Sequence, residues 1–153
     1  MNARKVTLAE LRELVGQELG LSDWVEVAQR QVDAFAAATG DRQWIHCDAE
    51  RARRESPYGE PIAHGFLTLS LGPALVGQIV EVQGVGRIVN YGLNRVRFPA
   101  AVRVGRRVRL RLELLQLEDV PDGVQMTCRQ TFEIEGESKP ACVAEAVWRM
   151  YPG

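Results

Sequence analysis

The sequence has 153 residues, 46% of them apolar and 25% charged, with a formal net charge of −1. That length fits one domain, residues 1–153, with enough chain to bury a hydrophobic core. The balance excludes a disordered, highly charged segment and argues against a dedicated nucleic-acid binder.

The three cysteines, Cys47, Cys128 and Cys142, are odd in number and far apart, with no CxxC or Cys/His metal spacing. Neither a disulfide scaffold nor a zinc site is indicated, and reduced thiols in the cytoplasm are the simplest reading. Residues 1–11 carry charges without the apolar core of a signal peptide.

Thr7 and Glu10 have capping-box spacing, and Leu8, Leu11, Leu14 and Val15 recur at helical intervals. They predict a short helix over 7–15, closed near Gly16. Residues 24–28 alternate and are rich in valine, which predicts a first strand. Val32, Phe35, Ala36 and Thr39 then fall on one helical face, with Gly40 as the stop. Residues 41–47 read as a loop, and Asp48 as the N-cap of a short polar helix carrying Arg51, Arg53 and Arg54. The Ser56-Pro57-Tyr58-Gly59-Glu60-Pro61 stretch reads as an irregular loop.

Residues 62–80 hold no Asp, Glu, Lys or Arg. Glycine, proline and polar residues interrupt the run, which barely reaches the roughly 20 residues of a membrane span. A helix over 65–80 that is apolar all round must instead be surrounded by protein, bent at Pro73. The remainder is β. A strand over 87–98 is interrupted by Gly92. Val108, Leu110, Leu112 and Leu114 alternate with charged residues, and Val124, Met126, Cys128, Phe132 and Ile134 repeat the pattern after a Pro121-Asp122-Gly123 turn. Residues 141–151 form a last strand, apolar on both faces. An α+β fold satisfies both features: a strongly curved antiparallel sheet wrapped around a long central helix, the hot-dog fold. Periodicity alone leaves other α+β arrangements open.

The densest polar cluster beside the long helix runs from Thr39 to His46. A carboxylate, Asp41, and an imidazole, His46, five residues apart in a loop can converge on one water molecule. Adding water to a conjugated double bond needs a base for the water's proton and a group to hold the oxygen. The structural alternative has Asp41 bonding loop amides and His46 as a satisfied histidine. Pro61-Ile62-Ala63-His64-Gly65 opens the helix, where free N–H groups could stabilise a developing oxyanion. Gly65 could equally serve close packing, and His64 reads as structural, orienting the loop.

The run FAAATGDRQWIH followed by PIAHGFLTLSL resembles the MaoC-like, or (R)-specific enoyl-CoA hydratase, family in the order and spacing of both blocks. NYGLNRVRFPA resembles the strand that follows. The resemblance implies a hydro-lyase in which Asp41 and His46 are catalytic and the Gly65 N–H forms the oxyanion hole. It also implies a homodimer, with the acyl tunnel near the subunit interface. Trp44 and Ile45 beside His46, Ser70 on the helix, and Arg95 and Arg97 are the candidate substrate contacts. Gln43-Trp44 departs from the family's common Asn-Pro. A helix hydroxyl found in some members falls on Pro73, with Ser70 or Thr68 as substitutes.

The expected reaction is reversible addition of water to a trans-2-enoyl-CoA, giving (R)-3-hydroxyacyl-CoA. No metal or other cofactor is expected, since coenzyme A is part of the substrate. The rivals are dehydration of a 3-hydroxyacyl thioester on an acyl carrier protein, hydrolysis of an acyl-CoA, and non-catalytic binding of acyl thioesters. The run of arginines from Arg87 to Arg111 reads first as a solvated strand face and second as an attractor of coenzyme A phosphates or an acidic carrier. Nucleic acid is disfavoured by the scarcity of interleaved aromatics, and Gly84-Val85-Gly86 lacks the third glycine of a dinucleotide fingerprint.

Overall fold

The computed structural model describes residues 2–153. The N-terminal half carries the helices. Strand β1 (Arg4–Val6) leads to α1 (Leu8–Glu13), then to β2 (Glu18–Leu21), β3 (Val25–Glu26) and α2 (Gln29–Thr39). Four short helices follow: α3 (Trp44–Cys47), α4 (Ala49–Glu55), α5 (Gly65–Ser70) and α6 (Gly72–Ile79). The strands β4 (Val80–Val82), β5 (Val85–Arg97), β6 (Arg107–Val120), β7 (Gly123–Ile134) and β8 (Cys142–Pro152) complete the chain.

Local chemistry sets most of these boundaries. Glu10 N–H donates to Thr7 Oγ1 and Thr7 N–H to Glu10 Oε2, so two of the free donors at the start of α1 satisfy each other's residues. Gly40 closes α2 at φ +82°, a left-handed conformation that a side chain would strain. The Asp48 carboxylate accepts from Arg51 N–H at the start of α4.

The main sheet has the order β2-β6-β7-β8-β5, with β3 also paired to β6, and every pairing in it is antiparallel. The small second sheet pairs β1 with β4 in parallel. Along β6, Val108, Leu110, Leu112 and Leu114 point inward and are fully buried. Each such side chain contributes about 1.5–3 kcal/mol by leaving water. Helix α6 lies against β6 and α5 against β8, so the apolar helices fill the concave side of the sheet. On the convex side, Glu133 bridges Arg109 and Arg111, Arg111 reaches Glu18, and Arg129 pairs with Glu113. The basic run along β6 is therefore a paired surface.

Three local expectations are corrected. The apolar run is two helices meeting at Leu71, where Leu71 N–H donates to Thr68 O at 3.2 Å and closes the first helix tightly. Pro73 falls in the first turn of α6, a position whose missing N–H would have no helical partner anyway. Residues 44–47 form a helical turn because Asp48 N–H closes on Trp44 O. The strand expected over 24–28 shrinks to β3, and β1 and β2 precede it, since segments this short carry no period to read. No helix among the described residues is long and apolar enough to cross a membrane. Burial pushes the Cys128 and Cys142 thiols up to about 12, which leaves them unreactive.

Candidate active site

The reversal at Gly40 brings the chain back across the end of α2. Thr39 Oγ1 donates to Phe35 O and accepts from Asp41 N–H, and Asp41 Oδ1 accepts from Gln43 N–H at 3.4 Å. The carboxylate of Asp41 remains exposed. Helix α3 then carries His46 inward, where it is 6% exposed. Gln29, in the first turn of α2, donates to His46 O at 2.8 Å and fixes the end of this turn.

Residues 61–64 run extended between α3 and the 102–104 segment. Ile62 N–H donates to Ile45 O, Ala63 N–H to Val102 O, and Val104 N–H to Pro61 O. In return, His46 Nδ1 lies 2.6 Å from Ile62 O. His64 sits at the N-cap of α5, and its Nε2 lies 2.9 Å from Asp41 O. A carbonyl accepts and never donates, so the proton is on Nδ1 of His46 and on Nε2 of His64. His46 in its neutral form therefore presents a bare Nε2 lone pair.

The two imidazoles stack, with centroids 3.8 Å apart and planes 25° from parallel. Burial, and next the neighbouring His64, hold the His46 pKa below its ordinary value, against the opposing pull of the Ile62 carbonyl and Asp41. Asp41, His46 and His64 each offer a ligand atom within 4.8 Å of the others.

A pocket of about 270 Å3 opens on this corner, lined by His46, Tyr58, Gly65, Thr68, Phe98 and Ala101 among others. The N–H groups of Gly65 and the next residues begin α5 without helical acceptors. A Cβ at position 65 would meet the Phe98 ring at 3.0 Å, so glycine lets that ring pack closely against the start of α5. The structure thus gathers Asp41, His46, His64 and Gly65 in one place.

The remaining candidates are spread out. Trp44 stacks under the Arg51 guanidinium at 4.4 Å, and Ile45 takes part through its carbonyl; neither lines the His46 pocket. Ser70 donates to Phe66 O and lines a different cavity. Arg95 and Arg97 line a third cleft with Pro99, which also borders the His46 pocket. Of the two helix hydroxyls offered in place of Pro73, Thr68 is the buried one that lines the His46 pocket. Phe98 falls inside the NYGLNRVRFPA stretch but was not singled out there, and Gln130 carried no motif signal. The signal that could have found Gln130 is its place as a polar residue on the inward parity of an otherwise apolar strand.

Comparison with known proteins defines the class. The MaoC-like domain matches residues 10–134, and the chain belongs to the MaoC-like dehydratase family of hydro-lyases. It is 52% identical over 144 residues to 3-hydroxyacyl-thioester dehydratase Z of Mycobacterium tuberculosis, covering 94% of this chain and 95% of the relative. It is 36% identical over 114 residues to 3-hydroxybutyryl-CoA dehydratase of Methylorubrum extorquens, covering 72% and 69%. Among solved structures, an (R)-hydratase from A. caviae involved in PHA biosynthesis superimposes with a TM-score of 0.73 at 28% identity, covering 90% of this chain and 96% of that one. The fold is the hot-dog fold.

Proposed function

We propose that the protein reversibly hydrates trans-2-enoyl-CoA to (R)-3-hydroxyacyl-CoA. The observation that carries this reading is the bare Nε2 of His46 beside the Asp41 carboxylate, at a pocket that also contains the Gly65 end of α5. The names of the relatives that act on 3-hydroxyacyl thioesters support the substrate class, and the (R)-hydratase likeness supports the stereochemistry.

A water held between Asp41 and His46 Nε2 gives up a proton to Asp41 as its oxygen bonds to the β-carbon of the enoyl group. The π electrons move to the thioester oxygen, where the Gly65 N–H meets the developing charge. The enolate then takes a proton at the α-carbon, delivered through the same pair, so one water ends as a β-hydroxyl and an α-hydrogen. His64 positions Asp41 by holding its carbonyl. Arg95 and Arg97 line one cleft and form no ion pair among the described residues, which supports a role in attracting the coenzyme A phosphates.

The functional unit in this reading is a homodimer. The 13-residue edge strand β5 exposes the apolar side chains of Ile88, Tyr91 and Leu93 at 54%, 57% and 46%. Such edges are normally paired or covered, and a second copy provides the same edge. The test mixes purified protein with a 2-enoyl-CoA and follows the conjugated absorbance without added metal. The expected product is the (R)-3-hydroxyacyl thioester. Free acid with thiol, or activity that a chelator removes and one metal restores, overturns the reading.

A further inference from the structure

A cavity of about 370 Å3 lies between the α5–α6 pair and strands β5, β7 and β8, lined by Leu69, Ser70, Asn90, Tyr91, Gln130 and Trp148 among others. Its wall is mostly apolar, and one feature does not fit that description. Gln130 is 2% exposed, on the inward row of β7 between Cys128 and Phe132. Its Nε2 has no hydrogen-bond partner. Its Oε1 lies against the first turn of α6, 2.7 Å from where a Cβ on Gly72 would stand.

A buried amide donor left unmatched costs about 1–3 kcal/mol, and nearly all buried polar groups find a partner. Leucine or methionine would fill the same place in a sealed core without that cost. An amide beside an otherwise apolar cavity is an arrangement by which ligand sites fix one polar atom of a mainly apolar ligand, and Gln130 lines this one. Nε2 is closed to solvent as placed, and a half-turn of the terminal amide exchanges it with Oε1 without changing the shape of the side chain.

The cavity also neighbours the reaction site along the helices, since Gly65 and Thr68 line the one and Leu69 and Ser70 the other. Gly65 and Leu69 stand one helical turn apart in α5, and Pro73, in the first turn of α6, lines the cavity together with Leu69. From Gly65 to Leu69 is roughly 6 Å along the α5 axis, within the reach of a medium-length acyl chain. A thioester held at Gly65 can therefore lay its chain toward Gln130.

We propose that this cavity receives the far end of the acyl group and that Gln130 recognises a hydrogen-bond-accepting oxygen there, a keto or hydroxyl group remote from the thioester. The proposal rests on the thioester reading of the active site and adds the class of acyl chain. Gln130 is thereby a specificity-determining residue. Trp148 and Leu69 supply the apolar walls along which the chain runs, and Asn90 stands at the exposed rim, paired in register with Trp148.

Saturated acyl-CoAs cannot be hydrated and so separate recognition from chemistry. Calorimetry compares octanoyl-CoA with the same chain carrying a keto oxygen on its penultimate carbon. The unaltered protein should bind the keto ligand about tenfold more tightly, and Gln130→Met should abolish the difference. Equal affinities in the unaltered protein, or a preference that survives Gln130→Met, overturn the proposal. If Gln130→Met does not fold, the two affinities of the unaltered protein decide alone. Preference without hydration of any 2-enoyl-CoA keeps this assignment and overturns the hydratase reading; hydration without preference overturns this assignment alone.

Discussion

The convex face of the sheet and the corner around His46 are both rich in charged and polar side chains, and they treat them oppositely. On the sheet, carboxylates and guanidinium groups meet at 2.7–2.8 Å, and Glu133 serves two arginines at once. At the corner, Asp41 accepts one long 3.4 Å contact, and His46 Nε2 has no hydrogen-bond partner among the described residues. His64 Nδ1 is buried without a partner there too. The sheet surface is complete as it stands, whereas the corner holds donors and acceptors that await a water and a substrate. Charge density alone therefore does not mark a site; unsatisfied polar atoms beside a pocket do.

The largest effects should fall at the corner. Asp41→Asn and His46→Gln should each lower kcat by about 10²–10⁴-fold. Since both hold the same water, the double variant should be scarcely worse than the worse single one. Thermal unfolding should change little, and activity lost only in proportion to unfolded protein would break the contrast. Under the sheet, Leu112→Ala should instead cost about 2–5 kcal/mol in urea unfolding and leave turnover per folded molecule intact.

The pH response sharpens the same contrast. Burial and His64 hold the His46 pKa down, so the neutral imidazole persists below the ordinary value of about 6.5. The acid limb of kcat/KM should have its midpoint below that value. The unfolded chain takes up the His46 proton before the folded one does, so this residue's contribution to stability is present above pH 6.5 or so and is lost as the pH falls. A midpoint at or above the ordinary value would contradict a buried neutral His46. The smallest effect belongs to Glu133→Gln on the convex face. Burial raises the Glu133 pKa, and its hydrogen bonds from Arg109 and Arg111 outweigh that and lower it. The pairs remain partly exposed, so their loss should cost less than about 1 kcal/mol and leave kcat unchanged.

Much of this was legible in the chain. The Thr7–Glu10 box, the Gly40 stop and the strict alternation from Arg107 to Leu114 are local signals, and the structure follows each one. Two blocks of sequence placed Asp41, His46 and Gly65 in one corner. The His46–His64 stack and the two tautomers were not legible, because they depend on Ile62 and Asp41 carbonyls set by tertiary hydrogen bonds. The step at Leu71 was half legible: Pro73 announced a disturbance, but not that a new helix would begin there. Gln130 was visible as the polar exception to an inward row, and its meaning required the cavity beside it.

The strand order has a consequence for how the chain is made. Strand β5 pairs with β8 and with no other named strand, and the chain synthesises β6 and β7 before β8 appears. Cys142 follows Arg97 by 45 residues, which at ribosomal rates is roughly 2–9 s of waiting. During that interval the Ile88–Leu93 edge has no neighbour, while β6 and β7 can already zip together around their turn. A pairing this distant in sequence is slow to form even in the released chain. The edge that we assign to the dimer is thus also the segment most open to misassociation on the ribosome, and a nascent chain stalled before Cys142 should be the species that a chaperone holds.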